Sequence, residues 1–147
     1  AEARAGAEPD GLRRLAALCP EDPALATALA AKLRLSNAER TRPVAILTPG
    51  EVPADPRALA YRIGAEATID RLLLTDDPRA ADWLPRLAAW HPPRLPISGR
   101  DLIAIGLPPG PAVSRTLAEV EARWIAAGFP PGRAEVLALA RAVLGVR

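Results

Sequence analysis

A chain of 147 residues that is half apolar and about a quarter charged, with a net charge of +2, has the composition of a compact domain rather than of a disordered or fibrous segment. At this length roughly two-thirds of the unfolded surface can be buried, enough for one or two domains. The lone Cys19 excludes an intrachain disulfide and a Cys-rich zinc site; no apolar run reaches the roughly 18 to 20 residues of a membrane span; and the acidic, Ala-rich start is unlike a signal peptide, so cytoplasm is the expected compartment.

In chain order, Ala1 to Pro9 shows no apolar period and is expected to fray. Asp10 caps a helix with Leu12, Leu15, Ala16 and Leu18 on its apolar side, ended by Pro20. Asp22 caps the next, with Pro23 at its first position and Leu25, Leu29 and Leu33 on one face. Ser36 and Glu39 fit a capping box, so a third helix begins at Asn37 or Ala38, and Pro43 is expected to bend or stop it early. The run from Thr48 to Pro56 holds three Pro and one Gly; it reads as a loop and as the best internal boundary. Asp55 and Pro56 open a long helix with Leu59, Ile63, Ala67 and Leu74 on one side and Arg62, Glu66 and Asp70 on the other. Gly64 inside it costs about 1 kcal/mol against Ala and points to close helix packing. Asp77 and Pro78 start a helix with Ala80, Trp83, Leu84, Leu87 and Trp90 apolar, kinked at Pro85 and ended by His91, Pro92 and Pro93.

The most specific local grammar runs from Pro96 to Trp124. Ser98, three residues ahead of Asp101, is placed to cap a short helix carrying Leu102, Ile103 and Ile105, and Gly106 suits its C′ position. Pro108 and Pro109 cannot continue it, Gly110 allows a tight path, and Pro111 opens a longer helix with Val113, Leu117, Val120 and Trp124 on one face. A turn from Phe129 to Gly132 leads to a closing helix over Ala134 to Val146, with Val136, Ala140, Val143 and Leu144 inward. No alternating stretch supports a strand, and no internal repeat is present.

PISGRDLIAIGLPPGPAVSRTL, followed by a Trp-Ile pair and a last helix, resembles the C-terminal part of bacterial CCA-adding enzymes, the tRNA nucleotidyltransferases related to poly(A) polymerase. DGLRRLAAL (Asp10 to Leu18), KLRLSNAER (Lys32 to Arg40) and WHPPRLPISG (Trp90 to Gly99) resemble the same family in the same order. Ser114 stands where relatives usually carry Gly. The family's catalytic head, with its Gly-Ser motif and metal-binding Asp-x-Asp pair, has no counterpart, so the chain is expected to be a C-terminal fragment without transfer activity of its own. The resemblance implies that the parent is a CCA-adding enzyme, which adds CMP and AMP to the tRNA 3′ end from CTP and ATP with Mg²⁺; the alternative parent is a poly(A) polymerase, since relatives of the two activities share these helices. No cofactor is expected in the fragment. Its partners would be the acceptor and T-arm backbone of tRNA and the N-terminal head of the same parent chain, with no membrane contact and self-association left open.

The residue chemistry admits more than one reading at each candidate site. A net charge of +2 says little about a nucleic-acid partner, since clustering decides. Between Arg86 and Arg115, four arginines and His91 face a single acid, Asp101. Lys32 is the only lysine; the arginine bias suits bidentate phosphate contacts, though a GC-rich genome produces the same bias. Capping alone accounts for Ser98, Gly99 and Asp101, while a phosphate site would add the first-turn amides, Gly99 and Arg100. Gly110 is a turn residue or part of a phosphate-binding hairpin, with Arg94 and Arg115 nearby. Lys32, Arg34 and Arg40 either track a backbone or are solvated helix ends. Trp83, Trp90 and Trp124 offer stacking faces, but their spacing reads first as core. His91 has no second imidazole or nucleophile elbow beside it, and the adjacent Asp76 and Asp77 do not share a helical face. No Gly-rich loop of the Walker type is present.

The expected structure is an all-α array of about seven helices in right-handed or superhelical packing, without a sheet. Residues 1–50 would form a neck or body remnant and residues 51–147 a tail-like tRNA-binding region, or the two would be one continuous domain. The alternatives are a helical protein-interaction or dimerisation module and a DNA-binding helical hairpin; an exposed Arg-rich face favours nucleic acid, an exposed apolar patch favours protein.

Overall fold

A computed structural model of the protein describes residues 1–130 and 132–145, with no strand and ten helices among the described residues. The expected all-α class is found, with more and shorter helices than the periodicity indicates. The chain divides into two compact units, Ala1–Pro92 and Pro93–Arg147. The division falls in the His91-Pro92-Pro93 segment, and the Thr48 to Pro56 loop lies within unit 1. Two arginines hold that loop: Arg71 donates to the Gly50 carbonyl, and Arg79 donates to the carbonyls of Pro53 at 3.1 Å and Ala54 at 3.0 Å.

Unit 1 contains α1 (Glu2–Ala5), α2 (Gly11–Ala16), α3 (Pro23–Lys32), α4 (Asn37–Leu47), α5 (Arg57–Ile63), α6 (Ala65–Leu74) and α7 (Ala80–Ala88). The expected fraying of the first residues is corrected by α1, whose Glu2 carboxylate pairs with Arg13 at 2.8 Å and Arg14 at 3.0 Å. Three caps sit where the spacing puts them. Asp10 accepts the Arg13 amide at 2.8 Å, Asp22 accepts the Ala24 amide at 2.8 Å, and Ser36 and Glu39 form the reciprocal box. Leu18 lies past the end of α2 and is 84% exposed, while Leu12, Leu15 and Ala16 of that helix's expected apolar side turn inward.

Pro43 does not stop α4, which continues to Leu47. The missing amide and ring clash cost about 3 kcal/mol. Burying Ile46 and Leu47 against Ala16 and Ala26 offsets this, at roughly 1.5 to 3 kcal/mol per side chain.

The largest difference from expectation lies at Gly64, where the long helix splits into α5 and α6. Gly64 has φ 89° and ψ 155°, a conformation that breaks the helix, and no atom lies within 4 Å of where its Cβ would be. Its role is therefore the turn and not close packing. The turn rotates α6 so that Ala67, Thr68, Asp70, Arg71, Leu72 and Leu73 are all buried, which makes α6 the centre of unit 1. Leu72 and Leu73 pack with Ala60, Ala80 and Leu87, while Leu74 reaches the second cluster around Ile46 and Leu47. Asp70, expected on the solvent side with Arg62 and Glu66, is fully buried.

Its carboxylate accepts from Arg13 Nε at 2.8 Å on α2 and from Arg42 Nε at 2.6 Å and Nη2 at 2.9 Å on α4. Arg42 also pairs with Asp10 at 3.0 Å and Glu66 at 2.8 Å. Hydrogen bonding to Asp70 raises the Arg42 pKa further above the ordinary arginine value. Burial works against ionisation of Asp10, yet the Arg13 amide and the Arg42 guanidinium hold its carboxyl below the usual range.

Unit 2 contains α8 (Gly99–Ala104), α9 (Pro111–Ala126) and α10 (Arg133–Leu144), with α9 packed on both others. Leu102, Val120, Trp124, Val136 and Ala140 form its buried centre. The expected Val146 end of the last helix lies outside the described residues.

The Gly64 turn gives an outcome of opposite sign to a continuous helix. Gly64→Ala is expected to lower unfolding stability by about 1 to 3 kcal/mol in urea titrations, because Ala is strained at that φ. In a helix interior the same change would stabilise by about 1 kcal/mol.

Candidate nucleic-acid interface

The candidate site of unit 2 is the hairpin of α8 and α9. Asp101 reaches back over the first turn of α8 to accept the Ser98 amide at 2.7 Å and the Ser98 hydroxyl at 2.9 Å. The Ser98 amide, the Arg133 guanidinium and the Ser98 hydroxyl together hold the Asp101 carboxyl below its ordinary pKa. Arg133, at the start of α10, ion-pairs with Asp101 and donates to the Pro96 carbonyl at 3.2 Å. The single acid of the basic sequence patch is thus engaged inside unit 2.

α8 ends as its sequence indicates. The Gly106 amide donates to Ile103 at 3.0 Å and the Leu107 amide to Leu102 at 3.0 Å, with Gly106 at φ 108°, the paired bonds of a Schellman motif. The same device closes α9 at Gly128, from which Phe129 returns to meet the Trp124 ring edge-on at 5.0 Å. Trp124 is buried and its Nε1 donates to the Pro130 carbonyl at 2.8 Å. Both aromatics of unit 2 therefore belong to its core.

The two glycines of the hairpin differ in role. A Cβ on Gly99 would meet Val113 Cγ1 at 2.8 Å, so the first residue of α8 lies directly against the first turn of α9. The helix N-termini converge there, and the smallness of Gly99 serves that packing. Gly110 has open space where its Cβ would be but sits at φ 145°, so the turn into Pro111 requires it. Ser114, one residue beyond the close approach, is exposed.

Arg94, Arg100 and Arg115 are exposed, and none makes a hydrogen bond or ion pair among the described residues. Seven arginines and four carboxylates fall within Pro93–Arg147, a surplus of three positive charges, whereas Ala1–Pro92 carries one more acid than base. Arg86 and His91, the other cations of the sequence patch, belong to unit 1. Arg86 lies over the Trp83 ring, 5.4 Å from its centroid, and His91 Nδ1 is 3.1 Å from the Ala89 carbonyl oxygen.

The second candidate group also lies in unit 1, around the corner joining α3 and α4. Lys32 is exposed in the last turn of α3. Arg34 takes φ 53°, and its amide donates to Ala31 while the Leu35 amide donates to Ala30, so it occupies a C′ position usually given to Gly. Arg40 is exposed and its Nε donates to the Leu35 carbonyl at 2.9 Å. Among the described residues no group of three His, Cys, Asp or Glu side chains could hold a metal ion, and no helix is long and apolar enough to cross a membrane.

Two participants escape local reading. Arg133 lies 32 residues from Asp101, and Arg62 lines a groove with Arg40 from a different helix. No spacing rule links such pairs. No family model, curated protein or solved structure matches the chain.

The Gly99–Val113 contact separates packing from ligand access. Gly99→Ala is expected to destabilise unit 2 by about 1 to 3 kcal/mol in thermal or urea unfolding, the usual cost of overpacking. Adding Val113→Ala should recover most of that loss; a Gly99→Ala penalty unchanged by Val113→Ala would place its cause elsewhere.

Proposed function

We propose that the chain is the tRNA-binding C-terminal part of a CCA-adding tRNA nucleotidyltransferase, holding the body of the tRNA while a catalytic head of the parent protein adds CMP and AMP. The observation that carries this reading is the set of exposed arginines, Arg94, Arg100 and Arg115, that make no ion pair among the described residues of the positively charged unit 2. Such guanidiniums suit phosphate oxygens, which they can engage bidentately. The burial of Trp124 and Phe129 leaves no stacking platform on this unit, which favours a duplex backbone over splayed single-stranded bases. A protein that handles every tRNA reads shape and phosphate, so an interface indifferent to base identity fits the task.

On this reading Mg²⁺, CTP and ATP belong to the head, and the protein works in the cytoplasm. Ser98, Gly99 and Gly110 shape the corner between α8 and α9, while Arg94, Arg100 and Arg115 make the contacts. The sequence resemblance and the exposed arginines of unit 2 support the same assignment from different observations.

Binding of several tRNA transcripts lacking their 3′ CCA, measured against salt concentration, tests the proposal. Arg100→Ala should weaken all of them similarly and reduce the magnitude of the salt slope by about one unit, as expected for one lost phosphate contact. Ser98→Ala should leave the slope unchanged. If Arg100→Ala leaves affinity and slope intact while the chain still binds tRNA, the contact surface is elsewhere, with Lys32, Arg34 and Arg40 next in line. Equal or tighter binding of B-form DNA of the same length would favour a DNA-binding hairpin instead.

A further inference from the structure

Along α4, Thr41, Val44 and Ala45 stand at the i, i+3 and i+4 positions of one helical face, and Thr48, the extended residue just past its end, continues the row. Together with Arg40 on α4, and Arg62 and Ile63 at the end of α5, they line an open groove of about 570 Å³ in unit 1. The groove follows from the turn at Gly64. α4 packs on α2, α3 and α6, and α5 packs on α6, but α4 and α5 have no comparable contact, so a space is left between them.

The floor of this space is apolar, made by the half-buried Val44, Ala45 and Ile63. Its two charged walls have the same sign. Arg40 spends only its Nε on the Leu35 carbonyl, and Arg62 makes no hydrogen bond or ion pair among the described residues. Among the described residues no carboxylate lines the groove. The nearest acid on α6, Glu66, is committed to Arg42 at 2.8 Å, and Glu39 on α4 is committed to the Ser36 cap.

We propose that this groove docks an acidic amphipathic helix of a partner protein. A row of small side chains, apolar at Val44 and Ala45 and hydroxyl-bearing at Thr41 and Thr48, is a surface with which one helix can receive another, ridge into groove. The row spans about 10 Å, two turns of α4, and so accepts two turns of a second helix. Carboxylates flanking the apolar stripe of that helix would meet on one side the guanidinium nitrogens of Arg40 that the Leu35 bond leaves over, and on the other Arg62, which has no ion pair among the described residues. A small ligand fits less well, because a groove open along its length leaves most of such a molecule in water. A nucleic-acid backbone would satisfy the guanidiniums but not the apolar floor. The proposal concerns unit 1 and does not rest on the RNA reading of unit 2, so either can fail alone.

The test uses the full chain, isotope-labelled for NMR, and two synthetic helical peptides of about 18 residues, long enough for two to three turns in contact with frayed ends to spare. Both carry the same leucine stripe, flanked by Glu in one and by Lys in the other. The Glu peptide is expected to bind saturably, with amide shifts confined to residues 40–48 and 62–63, and about tenfold more tightly than its Lys twin. Arg62→Glu should weaken the Glu peptide by about tenfold, and Arg40→Glu/Arg62→Glu further, with unchanged circular dichroism. Arg62→Glu keeps the test sharp if Arg40→Glu disturbs the α3–α4 corner, because Arg62 makes no hydrogen bond or ion pair among the described residues. The proposal is overturned if the Glu peptide gives no saturable shifts in the groove up to about 1 mM, a weak limit for a specific contact. It is overturned equally if the two peptides bind alike, or if duplex RNA produces the groove shifts and the same variants abolish them.

Discussion

A carboxylate with no access to water governs unit 1. Asp70 sits in the middle of α6 at zero exposure, where an unpaired charge would cost several kcal/mol. Only the convergence of Arg13 and Arg42 makes that position tolerable, and the two guanidiniums come from different helices, α2 and α4. The register of both helices against α6 is thereby fixed. The network extends outward, since Arg13 also takes Glu2 and so ties α1 down, while Asp10 both caps α2 and pairs with Arg42. Every ion pair in the set is anchored by a helix cap or by burial, which distinguishes it from the loose surface pairs that contribute little.

The arginines of this chain are sorted by the fold into two populations that look alike in sequence. Arg13, Arg42, Arg71, Arg79 and Arg133 each bridge separate segments, to carboxylates or to loop carbonyls. Arg34, Arg62, Arg94, Arg100, Arg115 and Arg141 make no side-chain hydrogen bond or ion pair among the described residues. The first population explains how an arginine-rich composition is put to structural use. The second is the part free for partners: Arg100 and Arg115 lie on the α8–α9 hairpin, Arg94 just ahead of it, Arg62 in the α4–α5 groove, Arg34 at the α3–α4 corner and Arg141 on α10.

Local chemistry was legible wherever both halves of an interaction lie within one turn. The caps at Asp10, Asp22, Ser36 and Ser98 and the left-handed close at Gly106 follow from spacings of one to four residues. The misreadings share a different cause. Pro43 is carried by burial of residues that follow it, Gly64 is a turn because α6 buries most of its surface from Ala67 to Leu73, and Asp70 is buried against arginines that lie 57 and 28 residues away. Helical periodicity places Asp70 on a polar face, which is correct for an isolated helix and wrong for one whose polar face is covered by arginines. The candidate site was readable to the same extent: the hairpin and its exposed arginines were visible, while the Arg133 clamp on Asp101 and the open face of α4 depend on neighbours that no spacing encodes.

The most direct measurement is the equilibrium unfolding of Asp70→Ala compared with the parent chain at neutral pH. If Asp70 holds α2 and α4 to α6, removing its carboxylate leaves two largely buried guanidiniums without their shared partner, and stability should fall by about 3 to 5 kcal/mol. The double change Asp70→Ala with Arg42→Ala should then cost clearly less than the sum of the two single changes, since the partners act as one unit. A loss below about 1 kcal/mol for Asp70→Ala, the scale of an exposed pair, would contradict the account.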